Sequence, residues 1–161
     1  MDTLIKKEYR SIDDIELGTI FYDSWGYDQT NVDFYKVIRK TAKMVEVVAI
    51  GQHKVEDTSW ASENVIANPD RILYDYDYYF NGETPKEKGW ELDPDQSSLR
   101  YSRWDDTAKN WIDDFTSTRY RKPKITRHLP TYTGEGCYIR TSSYSHARIW
   151  DNKPLHQSHW A

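Results

Sequence analysis

Three short strand-like runs follow one another within residues 19–50, parted only by brief polar turns. Thr19-Ile-Phe-Tyr-Asp23 reads as the first strand, and Val32-Asp-Phe-Tyr-Lys-Val-Ile-Arg39 alternates apolar and polar residues, or nearly so, as the second. Met44-Val-Glu-Val-Val-Ala-Ile50 is a third, rich in β-branched residues. Connections this short join antiparallel neighbours. Gly51 marks a bend or bulge before Gln52-His-Lys-Val-Glu56. Consecutive antiparallel strands packed this closely predict a small curled sheet, an SH3-like or small barrel.

The remainder of the chain is less uniform. Ser11-Ile-Asp-Asp14 is expected to cap a short helical turn. Asn68-Pro-Asp70 is expected to end the first unit. Residues 70–95 then hold eight acids against three bases around the run Tyr74-Asp-Tyr-Asp-Tyr-Tyr-Phe80. Breaks at Asn81-Gly82, Thr84-Pro85, Lys88-Gly89 and Asp93-Pro94 suggest an extended excursion. Leu99 to Trp104 reads as a strand. The segment from Asp106 to Phe115 suits a short helix, with Trp111 and Phe115 four apart, or a hairpin. Cys137-Tyr-Ile-Arg-Thr141 and Ser145-His-Ala-Arg-Ile-Trp150 read as strands that close the sheet, followed by a turn at residues 151–154 and a loose tail. The expected class is mainly β, or α+β: a single domain over 1–161 with its core in 18–68 and 126–154. An aromatic, charged lobe is inserted at about 70–125.

Composition narrows the function. Only 37% of residues are hydrophobic, but 15% are aromatic, with seven Trp and thirteen Tyr. That aromatic content argues against disorder and exceeds what a core of this size needs, leaving rings for recognition. A net charge of −4 argues against binding nucleic acid over the whole surface. The single Cys137 excludes an internal disulfide and a cysteine-based zinc cluster, and reads as a small packed residue. No apolar run approaches the roughly 20 residues needed to span a bilayer, and the N-terminus lacks the apolar stretch of a signal peptide. The expectation is a protein of the cytoplasm.

The block 18–37 carries more polar chemistry than a strand pair requires. Trp25, Tyr27, Asp28, Gln29 and Asn31 sit in the loop between the first two strands. Such residues either lock the turn through local hydrogen bonds or present a recognition surface. Tyr74, Tyr76 and Tyr78 of the acidic run form a second candidate binding surface. Residues 119–128 carry five bases and no acid, so Arg119, Arg121, Lys122, Lys124 and Arg127 form an alternative nucleic-acid strip unless they pair with the acidic excursion. Asp28 and Asp33, with a late histidine, are the candidates for acid–base work. His156 and His159 are three apart, a weak metal signal. Ser142, Ser143 and Ser145 lack a nucleophile context, and there is no phosphate loop or dinucleotide fingerprint. No cofactor and no metal are expected.

Residues 24–35 read Ser-Trp-Gly-Tyr-Asp-Gln-Thr-Asn-Val-Asp-Phe-Tyr, and the C-terminal part has Ser143-Tyr144 followed by Trp150-Asp-Asn-Lys-Pro154. Together these resemble a family of small proteins carried by bacteriophages, plasmids and other mobile elements. In that family the late element usually has Gly where this chain has Asn152, a mild change because Asn tolerates a left-handed turn. The usual Gly-rich tail is replaced by His156-Gln-Ser-His-Trp160. The similarity covers about a third of the chain, at its two ends, and supplies a context more than a chemistry. It implies a non-catalytic accessory protein that binds a bacterial protein or ribonucleoprotein complex, with inhibition of a host defence system, anti-CRISPR-like or similar, as its use. The rivals are a nucleic-acid-binding module on 119–128 and an enzyme using Asp28 and Asp33.

Overall fold

The computed structural model describes residues 7–26, 28–80, 90–92, 98–134 and 136–159; for 76–80, 92, 98–101, 103 and 113–119 it describes the backbone alone. The chain is mainly β and antiparallel. It divides into two compact units, one made of Met1–Leu73 with Ile125–Ala161 and the other of Tyr74–Lys124.

The first unit opens with a 3-10 turn, Ile12–Asp14, whose capping box joins Ser11 and Asp14 as expected. Its strands are β1 (Ile20–Trp25), β2 (Asn31–Lys40), β3 (Val45–Ser59) and β4 (Ser62–Ile72). After the second unit come β9 (Ile125–His128), β10 (Thr131–Thr133), β11 (Gly136–Arg140), β12 (His146–Ile149) and β13 (Leu155–Ser158). They form one sheet in the order β10-β11-β12-β1-β2-β3-β4-β13, with β9 beside β3.

Ile50 of β3 pairs with Phe34 on one edge and Ile72 of β4 on the other, while Val48 pairs with Lys36 and with Ile125 of β9. Strands β4 and β9 therefore occupy successive stretches of one edge of β3. The chain leaves that edge after Leu73, whose N–H still donates to Ala49 O at 3.0 Å, and returns to it at Ile125, with Tyr74–Lys124 forming the second unit.

Two corrections follow. Asn68-Pro-Asp70 does not end the first unit: β4 runs on to Ile72 through an irregularity, Ile50 facing Ile72 while Gly51 faces Asn68. The pairing of Ile50 with Ile72 outweighs the local turn chemistry. The tail is not loose either. Residues 155–158 pair with residues 62–65 of β4, and the other side of β13 reaches β2. Ser158 N donates to Thr30 O at 2.9 Å, and Thr30 N to Ser158 Oγ at 2.8 Å. Gln157 Oε1 accepts from Val32 N at 3.3 Å and from Gln52 Nε2 at 3.1 Å, while Gln157 Nε2 donates to Glu63 at 3.0 Å. His159 meets the same Glu63 carboxylate at 2.6 Å, and this bond, the largest cause, holds the Glu63 carboxyl below its usual range. This polar seam curls β2-β3-β4-β13 back on itself.

The sheet buries apolar residues on both faces. Ile15, Phe21, Val37, Val45, Val47, Cys137, Ile139 and Ala147 form one core. Val32, Phe34, Val48, Ile50, Val65 and Ala67 form another, with Tyr22, Trp150 and Leu155 at its margin. Burial pushes the Cys137 thiol up to about 11, so it is a packed residue rather than a nucleophile.

The second unit contains β5 (Tyr74–Phe80), β6 (Glu91–Leu92), β7 (Ser98–Asp105) and β8 (Asn110–Pro123), with β8 pairing all three others. Residues 106–115 are not helical. Trp104 stands opposite Trp111 across the β7–β8 hairpin, edge to face at 5.8 Å, and Lys109 turns the corner at φ 51°. The cross-strand ring pair wins over the four-residue spacing.

Replacing Phe34, 1% exposed, by Ala is expected to cost about 3–5 kcal/mol in urea unfolding. Gln157→Ala, which strips partners from Val32 N–H and the Gln52 amide, is expected to cost about 1–3 kcal/mol. A loss below 0.5 kcal/mol for Gln157→Ala, within the range of ordinary surface changes, would show that the seam does not hold the sheet closed.

Candidate binding face

Alternation in the wing β10-β11-β12 sorts its side chains cleanly. Cys137, Ile139 and Ala147 enter the first core, so Tyr138, Arg140, His146 and Arg148 stand on the opposite face. Register then builds a row across the sheet: Thr131, Tyr138, Arg148, Tyr22, Phe34, Ile50. Phe34 and Ile50 lie in the second core and Tyr22 at its margin. Beyond Tyr22 that core stops, and Arg148, His146 and Arg140 are exposed. Directly opposed residues lie about 5 Å apart at Cβ, so Arg148 sits with one tyrosine on each side. His146 meets the Tyr138 ring edge to face at 4.9 Å.

The row is anchored from below by Trp150, which packs edge to face on Phe34 at 5.4 Å and donates from Nε1 to Lys153 O at 2.8 Å. Asn152 adopts φ 68°, the left-handed turn that places Lys153 there. Three depressions of about 700, 500 and 550 Å³ adjoin along these strands, bordered by residues of this face. The first and second share Tyr138, the second and third His146, and the first and third Arg148.

The charge on the face is uneven. Arg127 is spent on Glu46 at 2.6 Å. His128 donates from Nδ1 to Arg140 O at 3.0 Å, and burial lowers its pKa, which keeps it neutral near pH 7. Among the described residues, no acid pairs with the side chains of Arg140, Arg148 or Lys153. The lining acids are Asp151, which accepts from Lys153 N, and Asp23.

Asp23, 6% exposed, lies directly opposite Asp33 across β1 and β2. Thr141 Oγ1 donates to Asp23 at 2.9 Å, and Trp25 Nε1 donates to Asp33 at 2.6 Å. Burial raises the Asp23 pKa, and the Asp33 charge adds to that, against the Thr141 bond and His146. Trp25, although pinned, remains 47% exposed, and Tyr144 across the same depression is 95% exposed. Gly26 makes the turn possible at φ 131°, since a Cβ there would fall 1.8 Å from Gln29 O.

The other sequence candidates are placed as follows. Gln29 Nε2 donates to Asn31 Oδ1 at 3.1 Å, so this pair locks the turn, while Asp28 is exposed in the bend. Tyr27 lies outside the described residues, as do the side chains of Tyr76, Tyr78 and Arg119. Tyr74 donates to Glu91 at 2.5 Å and lies under the Arg121 guanidinium at 4.2 Å. Arg121 stands in register with Asp77 on one side and Glu91 on the other, so acids of the excursion do flank the basic stretch. Lys122 and Lys124 are exposed, but Arg127 belongs to the other unit, so the five bases do not share one strand. The carboxylate that faces Asp33 is Asp23, not Asp28. Among the described residues no group of three or more His, Cys, Asp or Glu could hold a metal.

Sequence reasoning missed Tyr138, Arg140, His146 and Arg148. The signal was present in Cys-Tyr-Ile-Arg and His-Ala-Arg-Ile, where aliphatic residues alternate with rings and bases. Compared with known proteins, the chain matches no family model, no curated protein and no solved structure.

A carboxyl whose pKa is raised by folding destabilises the native state as pH rises through the unfolded value of 3.8 and above. Asp23→Asn keeps an acceptor for Thr141 and removes that charge. It is expected to melt higher than the parent at pH 7, with the difference vanishing below pH 3.8. A lower melting temperature at pH 7 would contradict this account of Asp23.

Proposed function

We propose that this chain is a non-catalytic binding protein whose working surface is the open face around Arg148. The observation that carries the reading is the register that sets exposed Arg148 between Tyr138 and Tyr22, with Arg140 and His146 alongside. Tyr, Trp and Arg dominate binding hot spots because they combine large apolar area with directed polar groups. Here strand pairing fixes their backbone positions, so little backbone entropy is lost on binding. Trp25, held by Asp33, borders the third depression from the other side of β1.

The resemblance of residues 24–35 and 143–154 to mobile-element proteins supports a setting inside a bacterial host cell. There the chain would act as an accessory protein docking on a host macromolecular complex, a defence ribonucleoprotein being the natural target. Among the described residues no helix is long and apolar enough to cross a membrane, which is compatible with that setting. In the rival enzymatic reading, Asp28, Asp33 and a late histidine would act on substrate; but Asp33 is engaged by Trp25 and stands opposite Asp23, while Asp28 is exposed in the bend.

The test is affinity capture from a bacterial host lysate with the tagged protein and with Arg148→Glu, followed by measurement of the dissociation constant with the purified partner. The expected result is a defined partner whose affinity falls at least 10-fold in the variant. Identical capture and affinity for both proteins would refute the assignment of the face.

A further inference from the structure

We propose that the open face takes single-stranded nucleic acid, either free or exposed within a ribonucleoprotein. This inference rests on the binding reading above and names the ligand of that same face. Two chemical requirements define such a ligand: a backbone of regularly spaced anions, and flat rings free to stack. The face offers both: Arg148 stands in register with the two tyrosines, Arg140 lies on the neighbouring pair, and Lys153 lines the first depression. Arg140, Arg148 and Lys153 supply cationic groups that no described acid neutralises, and Tyr138 and Tyr22 flank the central one.

The sign of the charge is informative because the protein as a whole is acidic, at −4. A cationic patch on an acidic protein concentrates attraction at one place and repels a polyanion elsewhere. Asp23, which lines the third depression with Arg148, is 6% exposed and by register stands on the side of Phe21 and Asp33, opposite to the Arg148 row. A double helix fits less well, since its bases are stacked inside and offer no faces to the tyrosines. An acidic protein surface would satisfy the bases but would leave the ring–base–ring row without flat partners. The basic stretch at 119–128 is a poorer candidate: Arg127 is paired with Glu46, and Arg121 lies over Tyr74 between two acidic register neighbours.

The experiment is fluorescence anisotropy of labelled oligo-dT and oligo-U, about twelve nucleotides long, a length within the site sizes common for single-strand binders. With three phosphate contacts the logarithm of affinity should fall with the logarithm of salt at a slope of about −2, roughly 20-fold weaker binding between about 50 and 200 mM salt. Arg148→Ala should flatten that slope by about 0.7. Tyr138→Ala should weaken binding at least 5-fold without changing the slope, and a duplex of equal length should bind more weakly than either single strand. Lys122→Ala with Lys124→Ala should leave affinity unchanged. Thermal melting of each variant separates lost binding from lost folding, and Arg140→Ala, at an exposed position, serves if Tyr138→Ala does not fold.

No binding of either oligonucleotide at about 50 mM salt would overturn the inference, as would binding unchanged by Arg148→Ala and Arg140→Ala in folded protein. If oligonucleotides fail to bind while an Arg148-dependent protein partner is still captured from nuclease-treated lysate, the ligand assignment falls and the binding face stands. If neither is seen, both fall.

Discussion

Strand β2 is buried on both sides, and this double burial organises the first unit. Val32 and Phe34 point into one core and Val37 into the other, each at most 2% exposed. A strand sealed on both faces must be central, so β1 and β3 are recruited to its edges and the sheet grows outward from it. The two cores do not overlap fully. The first extends to β11 and β12 through Ile139 and Ala147, whereas the second ends at Tyr22 and Trp150 and spreads instead towards β4. The wing β10-β11-β12 is consequently covered on one face and bare on the other. The open surface is a product of that offset, not of an added loop.

The same offset explains why the polar devices lie where they do. Where the second core runs out near β13, Gln52, Gln157, Glu63 and His159 replace apolar packing with hydrogen bonds, closing the curl. Gln52 Oε1 stays buried without a partner, the cost of ending a core on amides. Where the first core runs out near the β1–β2 turn, Asp23 and Asp33 face each other and are tied to Thr141 and Trp25. Both sites are margins of a core, and the second orients the exposed Trp25 ring.

What could be read from residues alone follows from the range of the interactions involved. The strands near 19–23, 32–39 and 44–50 were legible because alternation is local, and the 3-10 turn because its capping box is four residues long. Residues 155–158 were not, since Leu-His-Gln-Ser has a weak pattern and its stabilising bonds run to Glu63 and Val32. The segment 106–115 was ambiguous because Trp111 and Phe115 suit a helix as well as a strand, and only Trp104 across the hairpin decides it. Asp28 was paired with Asp33 by proximity in sequence, whereas strand register chooses Asp23. The face itself is assembled from β1, β11 and β12, more than a hundred residues apart in part, so its residues gain meaning only once the strands are aligned.

The central claim is positional: ligand lies across β11, β12 and β1. Ultraviolet cross-linking of the full chain to an oligo-U strand, with modified peptides mapped by mass spectrometry, tests it most directly. The expected result is adducts on Tyr22 or Tyr138, diminished in Arg148→Ala. Adducts confined to the Tyr74–Phe80 strand or to β8 would place binding in the other unit and contradict the account.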